Sequence, residues 1–325
     1  MRKLLGIIAV ALVALGVWAW TPDSGLDALW DDYGAGGVCA EADGMVVHSR
    51  ASGPEDAPVL VMIHGTSASL HTWEPLRERL DGEFRVVAYD QPGHGLTGPH
   101  PDGLYTYRGM EDGLEAALDA HGVGRAVLVG NSMGGWVAWR AALAMPERVA
   151  GLVLIDPSGM PTEEEAEGNL AFRLAANPVG RAVLRHVTPR GMVESSLRES
   201  VSQEAVVTDA AVDRYWRLTR RPGNRDAMTD MFATSREDLS GRLGEITVPT
   251  LVLWGEEDAL IPVSSAARFR DAIPGAELVV YPGVGHLPME EVPDAVAEDV
   301  RAFLGGHDIL PRAGIKAPAV RCRLG

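Results

Sequence analysis

Six short, almost wholly apolar runs recur along this chain: Val59 to Ile63, Phe84 to Tyr89, Ala126 to Val129, Val149 to Ile155, Thr250 to Trp254 and Glu277 to Tyr281. Continuous apolar runs of this length are buried on both faces, as in a parallel sheet covered by helices. Helical spacing fills the gaps over Trp73 to Leu80, Tyr105 to His121, Trp136 to Met145, Val263 to Ala272 and Pro293 to Leu304. The alternation predicts a doubly wound, mostly parallel α/β sheet. Asp43-Gly44, followed by the alternating Met45 to Arg50, adds a hairpin in front of it.

The alternation breaks once. Between Pro157 and Ile246 the sequence keeps helical periodicity and many Arg and Glu residues but offers no convincing strand. The expected division is a core over 41–156 and 247–305, interrupted by a helical cap over 157–246. A cap of this kind walls a pocket and excludes water from it. The competing reading is an independent helical domain remote from any site.

The two ends differ from the body. Met1-Arg2-Lys3 precedes an unbroken apolar run from Leu4 to Trp20. At 1.5 Å per residue that run spans about 25 Å, just enough to cross a bilayer. No small-residue cleavage site stands out near its end, where Trp18 and Trp20 suit a membrane interface. Residues 1–20 are therefore expected to be a transmembrane anchor, with a cleaved signal as the alternative. Arg2 and Lys3 would stay cytoplasmic, placing the folded domain outside. Removal of the segment would instead make the protein secreted or periplasmic. Residues 21–40, with Asp23, Asp27, Asp31 and Asp32, read as a juxtamembrane spacer. Residues 306–325, with Arg312, Lys316, Arg321 and Arg323, read as a basic disordered tail.

A formal net charge of −16 repels phosphate backbones, so nucleic acid is not an expected partner. Cys39 and Cys322 lie near opposite ends and form neither a metal-ligand spacing nor a disulfide framework. Two unrelated thiols are expected, with a single long-range bridge as the alternative.

The chemistry is concentrated at strand ends. Gly130-Asn131-Ser132-Met133-Gly134 lies between a predicted strand and a predicted helix. Glycines flank a turn too tight for side chains there, and the strained serine projects its hydroxyl from the top of the sheet. The pentapeptide alone is weak in a chain with 37 glycines, so its context must carry it. An activated serine needs a base, and the base needs an orienting acid. Asp258 follows the run Thr250 to Trp254, at the strand edge where ligands bind. His286 follows Glu277 to Tyr281 and a glycine-rich loop. Asp156, after Ile155, competes with Asp258 as the acid, as does Glu257. An oxyanion hole would use the N–H of Met133 and that of Thr66, in the loop His64-Gly65-Thr66. His64 is expected to brace that loop. Trp73 and Trp136 are candidate pocket walls, with Tyr215 and Trp216, although aromatics on helices are commonly plain core.

Over residues 40–305 the chain resembles the α/β-hydrolase superfamily. The likeness rests on His64-Gly65 with Ser69 and Trp73, on Asp90 to Gly95, and on Gly130 to Gly135. It also rests on Trp254 to Asp258 and on Gly285-His286. It implies an α/β-hydrolase fold with a helical cap, a triad in the order Ser132, Asp258, His286, and no cofactor or metal. Ser132 argues against the sister reactions that use an aspartate nucleophile. The expected activity is hydrolysis of a small to medium carboxylic ester through an acyl-enzyme. The alternatives are carbon–carbon bond hydrolysis of ring-cleavage products, or non-catalytic ligand binding on the same fold. The elbow resembles that of the carbon–carbon hydrolases, but Thr66 to Leu70 replaces their longer glycine-rich loop.

Overall fold

A computed structural model describes residues 20–42, 44–161, 170–234, 237–307, 309 and 320–321. The strands are β1 (Val38–Ala42), β2 (Met45–Ser52), β3 (Val59–Ile63), β4 (Arg85–Tyr89), β5 (Ala126–Asn131), β6 (Val149–Ile155), β7 (Thr250–Gly255), β8 (Glu277–Tyr281) and β9 (Val320–Arg321). Among the described residues they form one sheet in the order β8-β7-β6-β5-β3-β4-β2-β1-β9. Strands β3 to β8 run parallel, while β2 lies antiparallel to β4 and pairs with β1 as a hairpin. The chain goes from β3 to β4 on one side and returns to β5 on the other. That reversal opens a crevice at the carboxyl ends of β3 and β5.

Helix α1 (Leu26–Tyr33) precedes the sheet, and α2 (Glu74–Leu80), α3 (Tyr107–Ala120) and α4 (Met133–Ala144) follow its first strands. The insertion after β6 holds α5 (Leu170–Ala175), α6 (Pro178–Leu184), α7 (Arg190–Ser200), α8 (Asp209–Thr219) and α9 (Asn224–Ala233). Helices α10 (Ser264–Ala272), α11 (Pro288–Glu291) and α12 (Pro293–Gly306) complete the core. No strand occurs among the described residues of the insertion.

The period of two in the strands sorts the core into two layers. Val59, Val61 and Ile63 pack with Met110, Leu114 and Val137 on one face. Leu60 and Met62 pack with Leu76, Leu80 and Val300 on the other. All five residues of β3 are fully buried, so one strand ties both layers together. Strand β8 departs from the expectation of burial on both faces: it is an edge strand, and Val280 is exposed. Helix α4 starts at Met133 rather than Trp136, because the elbow passes into the helix without a linker.

Residues 21–40 are not a spacer. Leu29 is fully buried against Leu96 and Leu218, and β1 extends the sheet. Two of the acidic residues read as a membrane flank pair instead with arginines of the insertion: Asp23 with Arg225 and Asp32 with Arg217, each at 2.6 Å. The expected tail also needs correction where it is described, since Val320 and Arg321 pair with Cys39 and Val38. Cys39 is disulfide-bonded, so the expectation of a thiol at that position fails, while Cys322 lies outside the described residues. The apolar run that begins at Leu4 lies, apart from Trp20, outside the described residues. Among the described residues no helix is long and apolar enough to cross a membrane.

Candidate active site

Ser132 links β5 to α4 with φ 54° and ψ −118°, a backbone region that side chains rarely adopt. The strain is held by three hydrogen bonds. The Ser132 N–H donates to the Ile155 carbonyl at 3.0 Å, and the Ser132 carbonyl accepts from Ser158 and Trp136. The flanking glycines are required by contact. A Cβ on Gly130 would lie 2.3 Å from the Gly134 carbonyl oxygen, and one on Gly134 would lie 1.9 Å from that of Ile63.

The loop after β3 closes on this elbow. A Cβ on Gly65 would sit 3.1 Å from the Ser132 Cβ, so a side chain there would press the two segments apart by a few tenths of an ångström. Thr66 Oγ1 donates to the Met133 sulfur at 3.4 Å, which brings the two expected oxyanion residues side by side. Met133 opens α4, and first-turn N–H groups have no partner within their own helix. His64 braces the loop, as expected. It is fully buried, its Nδ1 donates to the Gly65 carbonyl at 2.7 Å, and its Nε2 accepts the Gln91 N–H at 3.0 Å. That tautomer is neutral, in keeping with burial, which pushes the imidazole below its usual range.

His286 and Asp258 meet at 2.7 Å through Nδ1 and Oδ2, and both are buried. With Asp258 as acceptor, the Nδ1 carries the hydrogen and Nε2 is left as an acceptor. The other oxygen of Asp258 accepts N–H groups from Leu260 at 2.7 Å and Ile261 at 3.0 Å, so the carboxylate cannot swing away. Asp156, the competing acid, stands behind this pair. Polar atoms of Asp156, Asp258 and His286 lie within 4.8 Å of one another. Asp156 is fully buried, and its Oδ1 accepts the Gly255 N–H at 2.9 Å. Burial and the neighbouring Asp258 charge raise its carboxyl well above the usual range, which favours its neutral form. Asp258, not Asp156, is the partner of the imidazole.

Ser132, Thr66 and His286 line one cavity of about 110 Å³. Its roof is the insertion, through Leu184, Met192, Leu197, Tyr215 and Met228. The insertion is therefore a cap over the site and not a remote domain. Trp73 and Trp136 do not line the cavity. Trp73 is fully buried in the layer beneath α2, and Trp136 packs in the opposite layer against Tyr107. Both project into the body of the sheet sandwich, because the helical turns that carry them face the core. Of the other aromatic candidates, Tyr215 reaches the cavity, while Trp216 does not line it and donates its N–H to the Thr188 carbonyl at 2.8 Å.

Sequence reasoning missed Asn131, Ser67 and the cap segment Ser200 to Gln203. Ser67 lines the cavity in a left-handed conformation with φ 63°. Asn131 offered a weak signal as the residue between Gly130 and Ser132. The cap segment offered none, since its contacts to His286 run through the backbone.

Comparison with known proteins bears on this geometry. The family model of the alpha/beta hydrolase fold matches residues 58–293, and the chain belongs to that family. It is a hydrolase of the alpha/beta fold. A bifunctional esterase/perhydrolase of Acinetobacter calcoaceticus is 30% identical over 284 residues, which are 82% of this chain and 99% of that protein. A 2-hydroxy-6-oxo-6-phenylhexa-2,4-dienoate hydrolase of Comamonas testosteroni is 29% identical over 77% of this chain and 87% of its own length. The solved structure of a membrane phospholipase A, described as a bacterial virulence factor, matches with a TM-score of 0.74 and 28% identity. The match covers 94% of this chain and 99% of that one.

Proposed function

We propose that this hydrolase cleaves carboxylic esters with a small to medium, apolar acyl group through a covalent acyl-enzyme. The observation that carries the reading is the His286–Asp258 pair sharing an apolar cavity with Ser132 at a strained elbow. His286 Nε2 takes the proton as Ser132 Oγ attacks the ester carbonyl. The Met133 and Thr66 N–H groups stabilise the oxyanion. Collapse of the tetrahedral intermediate expels the alcohol, which leaves with the proton from His286. Water, deprotonated by His286, then hydrolyses the acyl-enzyme, and Asp258 stabilises the imidazolium in both halves.

Carbon–carbon hydrolysis is the competing chemistry, as in the Comamonas relative. A dienoate substrate carries a carboxylate, and among the described residues lining the cavity there is no Lys or Arg to meet it. The apolar lining favours a neutral ester instead. The same lining, with a relative described as a membrane phospholipase A, supports an acyl group drawn from a lipid.

The proposal includes location: the enzyme is held at the extracytoplasmic face of a membrane by the run that begins at Leu4. Trp20, at the end of that run, is 54% exposed and stacks on His186 of the cap. Val179 and Val183 are exposed on α6, just before His186. A disulfide at Cys39 fits an oxidising compartment. Secretion after cleavage of the segment is the alternative.

The test is labelling with a fluorophosphonate followed by peptide mapping, then a graded p-nitrophenyl ester panel. Label on Ser132 and its loss in Ser132→Ala are expected, with turnover down by roughly 10⁴-fold or more. Full turnover by a folded Ser132→Ala protein would sink the mechanism. A membrane fraction that releases the enzyme to alkaline carbonate would sink the anchor.

A further inference from the structure

The loop that carries His286 is tied to the cap through one carboxylate. Gly285 and Leu287 donate their N–H groups to Glu291 Oε1 at 3.0 and 3.3 Å. Ser202 and Gln203, just past α7, donate theirs to Oε2 at 2.7 and 2.9 Å. Gly285 also reaches Oε2 at 3.2 Å. Between these bonds the His286 N–H donates to the Ser200 carbonyl at 2.8 Å. The Gln203 side chain closes the ring by donating to the Gly283 carbonyl at 2.8 Å. The contact is close: a Cβ on Gly285 would lie 2.8 Å from the Ser200 oxygen and 2.9 Å from the Ser202 nitrogen.

We propose that Glu291 is a positioning residue that makes seating of the cap and alignment of His286 a single event. The role rests on the serine-hydrolase reading above, since it matters only if His286 is the base. Glu291 does not line the cavity, so it acts through the backbone on either side of the imidazole. Only a carboxylate suits the place. Both of its oxygens accept, and four N–H groups converge on them. An amide of the same shape must turn its NH2 toward one pair of those donors. In Glu291→Gln either the His286 loop or the cap segment therefore loses its hold. Opening the cap would release His286 from Ser200, so an unseated cap leaves the base unaligned and the empty site idle.

The experiment compares full-length wild type with Glu291→Gln on a p-nitrophenyl ester. The expected result is a fall in kcat of at least tenfold, with KM within threefold. The rate of fluorophosphonate labelling of Ser132 should fall by the same factor, because labelling needs the base but no acyl recognition. Unchanged kcat per labelled site would overturn the proposal, even if the variant melts earlier. If Glu291→Gln does not fold, hydrogen exchange on the wild type decides. The amides of Ser202, Gln203, Gly285, His286 and Leu287 should open together at one rate. Opening of Ser202 and Gln203 at least ten times more often than the His286 loop would overturn the coupling. Absence of label on wild-type Ser132 would instead remove the serine reading, and the exchange result would still judge the coupling.

Discussion

The side-chain amide of Asn131 donates to the backbone carbonyl of His286 at 3.1 Å and to that of Ile155 at 3.2 Å. The residue before the serine thus sets the height of the histidine loop against the end of β6. The serine and histidine segments of the site are tied together by this one residue, which also lines the cavity.

Asn131→Ala leaves the His286 carbonyl without this donor, while the Ile155 carbonyl keeps the Ser132 N–H. An unsatisfied buried acceptor costs about 1–3 kcal/mol, and His286 lies in a loop whereas Ile155 ends β6. Steady-state kinetics should show kcat reduced roughly 10- to 100-fold, with KM changed less than threefold. A variant that matches wild-type kcat would show that the bond does not position the base.

The two buried aspartates should separate cleanly. Asp258→Asn removes the charge that stabilises the imidazolium and inverts the Nδ1 bond, so kcat should fall by roughly 10³- to 10⁴-fold. Burial and Asp258 favour the neutral form of Asp156, and an asparagine can still accept from Gly255. Asp156→Asn should therefore keep activity within about tenfold. Kinetics on the purified pair check this, and the reverse ranking would assign the acid to β6.

Wall and core residues should respond in different measurements. Trp73→Ala empties a fully buried site and should cost about 3–5 kcal/mol of stability, seen as a lower Tm with KM unchanged. Leu184→Trp fills the cavity roof and should shorten the preferred acyl chain by several carbons, with Tm nearly unchanged. An ester chain-length series on both variants checks the assignment. A Trp73 variant with altered chain preference would return that residue to the pocket.

Acid should destabilise the fold well above the carboxylate range. Burial pushes His71 and His121 down to about 4 and His94 to about 3. In the unfolded chain these groups titrate near the ordinary histidine value of 6.5. The unfolded state therefore binds more protons as the pH drops below 6.5, and stability falls with it. The contribution is fully present above pH 6.5 and is lost toward pH 4. Asp90 acts in the same direction at lower pH, since its contacts with His48 hold the carboxyl below its usual range. Tm should be flat from pH 8 to 7 and drop by about 10 °C or more by pH 4.5. A Tm unchanged down to pH 5 would show that the histidines titrate normally.

Much of this was legible before any coordinates. Strands β3 and β6 begin and end where their apolar runs do, because burial on both faces leaves no polar residue within them. Ser132, Asp258 and His286 each follow a strand end, and the elbow glycines mark the place where backbone meets backbone. The misreadings share a cause. Trp73 and Trp136 were assigned by residue type, which does not say which way a helix faces. Residues 21–40 read as a polar spacer because the arginine partners of Asp32 and Asp23, Arg217 and Arg225, lie far away in sequence. Nothing along the chain marks Glu290 either, yet it accepts from Tyr215 at 2.7 Å and from Thr72.

What the sequence determined by itself was the layer architecture, the strained serine and the order of its partners. Those follow from local rules: the period of apolar residues, the space that glycine leaves free, and the position of a residue just past a strand. Only the tertiary structure decided between Asp156 and Asp258, lined the cavity with cap residues, and joined the histidine loop to the cap through Glu291. Those outcomes depend on which of two nearby carboxylates faces the imidazole and on backbone N–H groups converging from distant segments. Such geometry is a property of the packed chain, and no residue along it carries the mark of it.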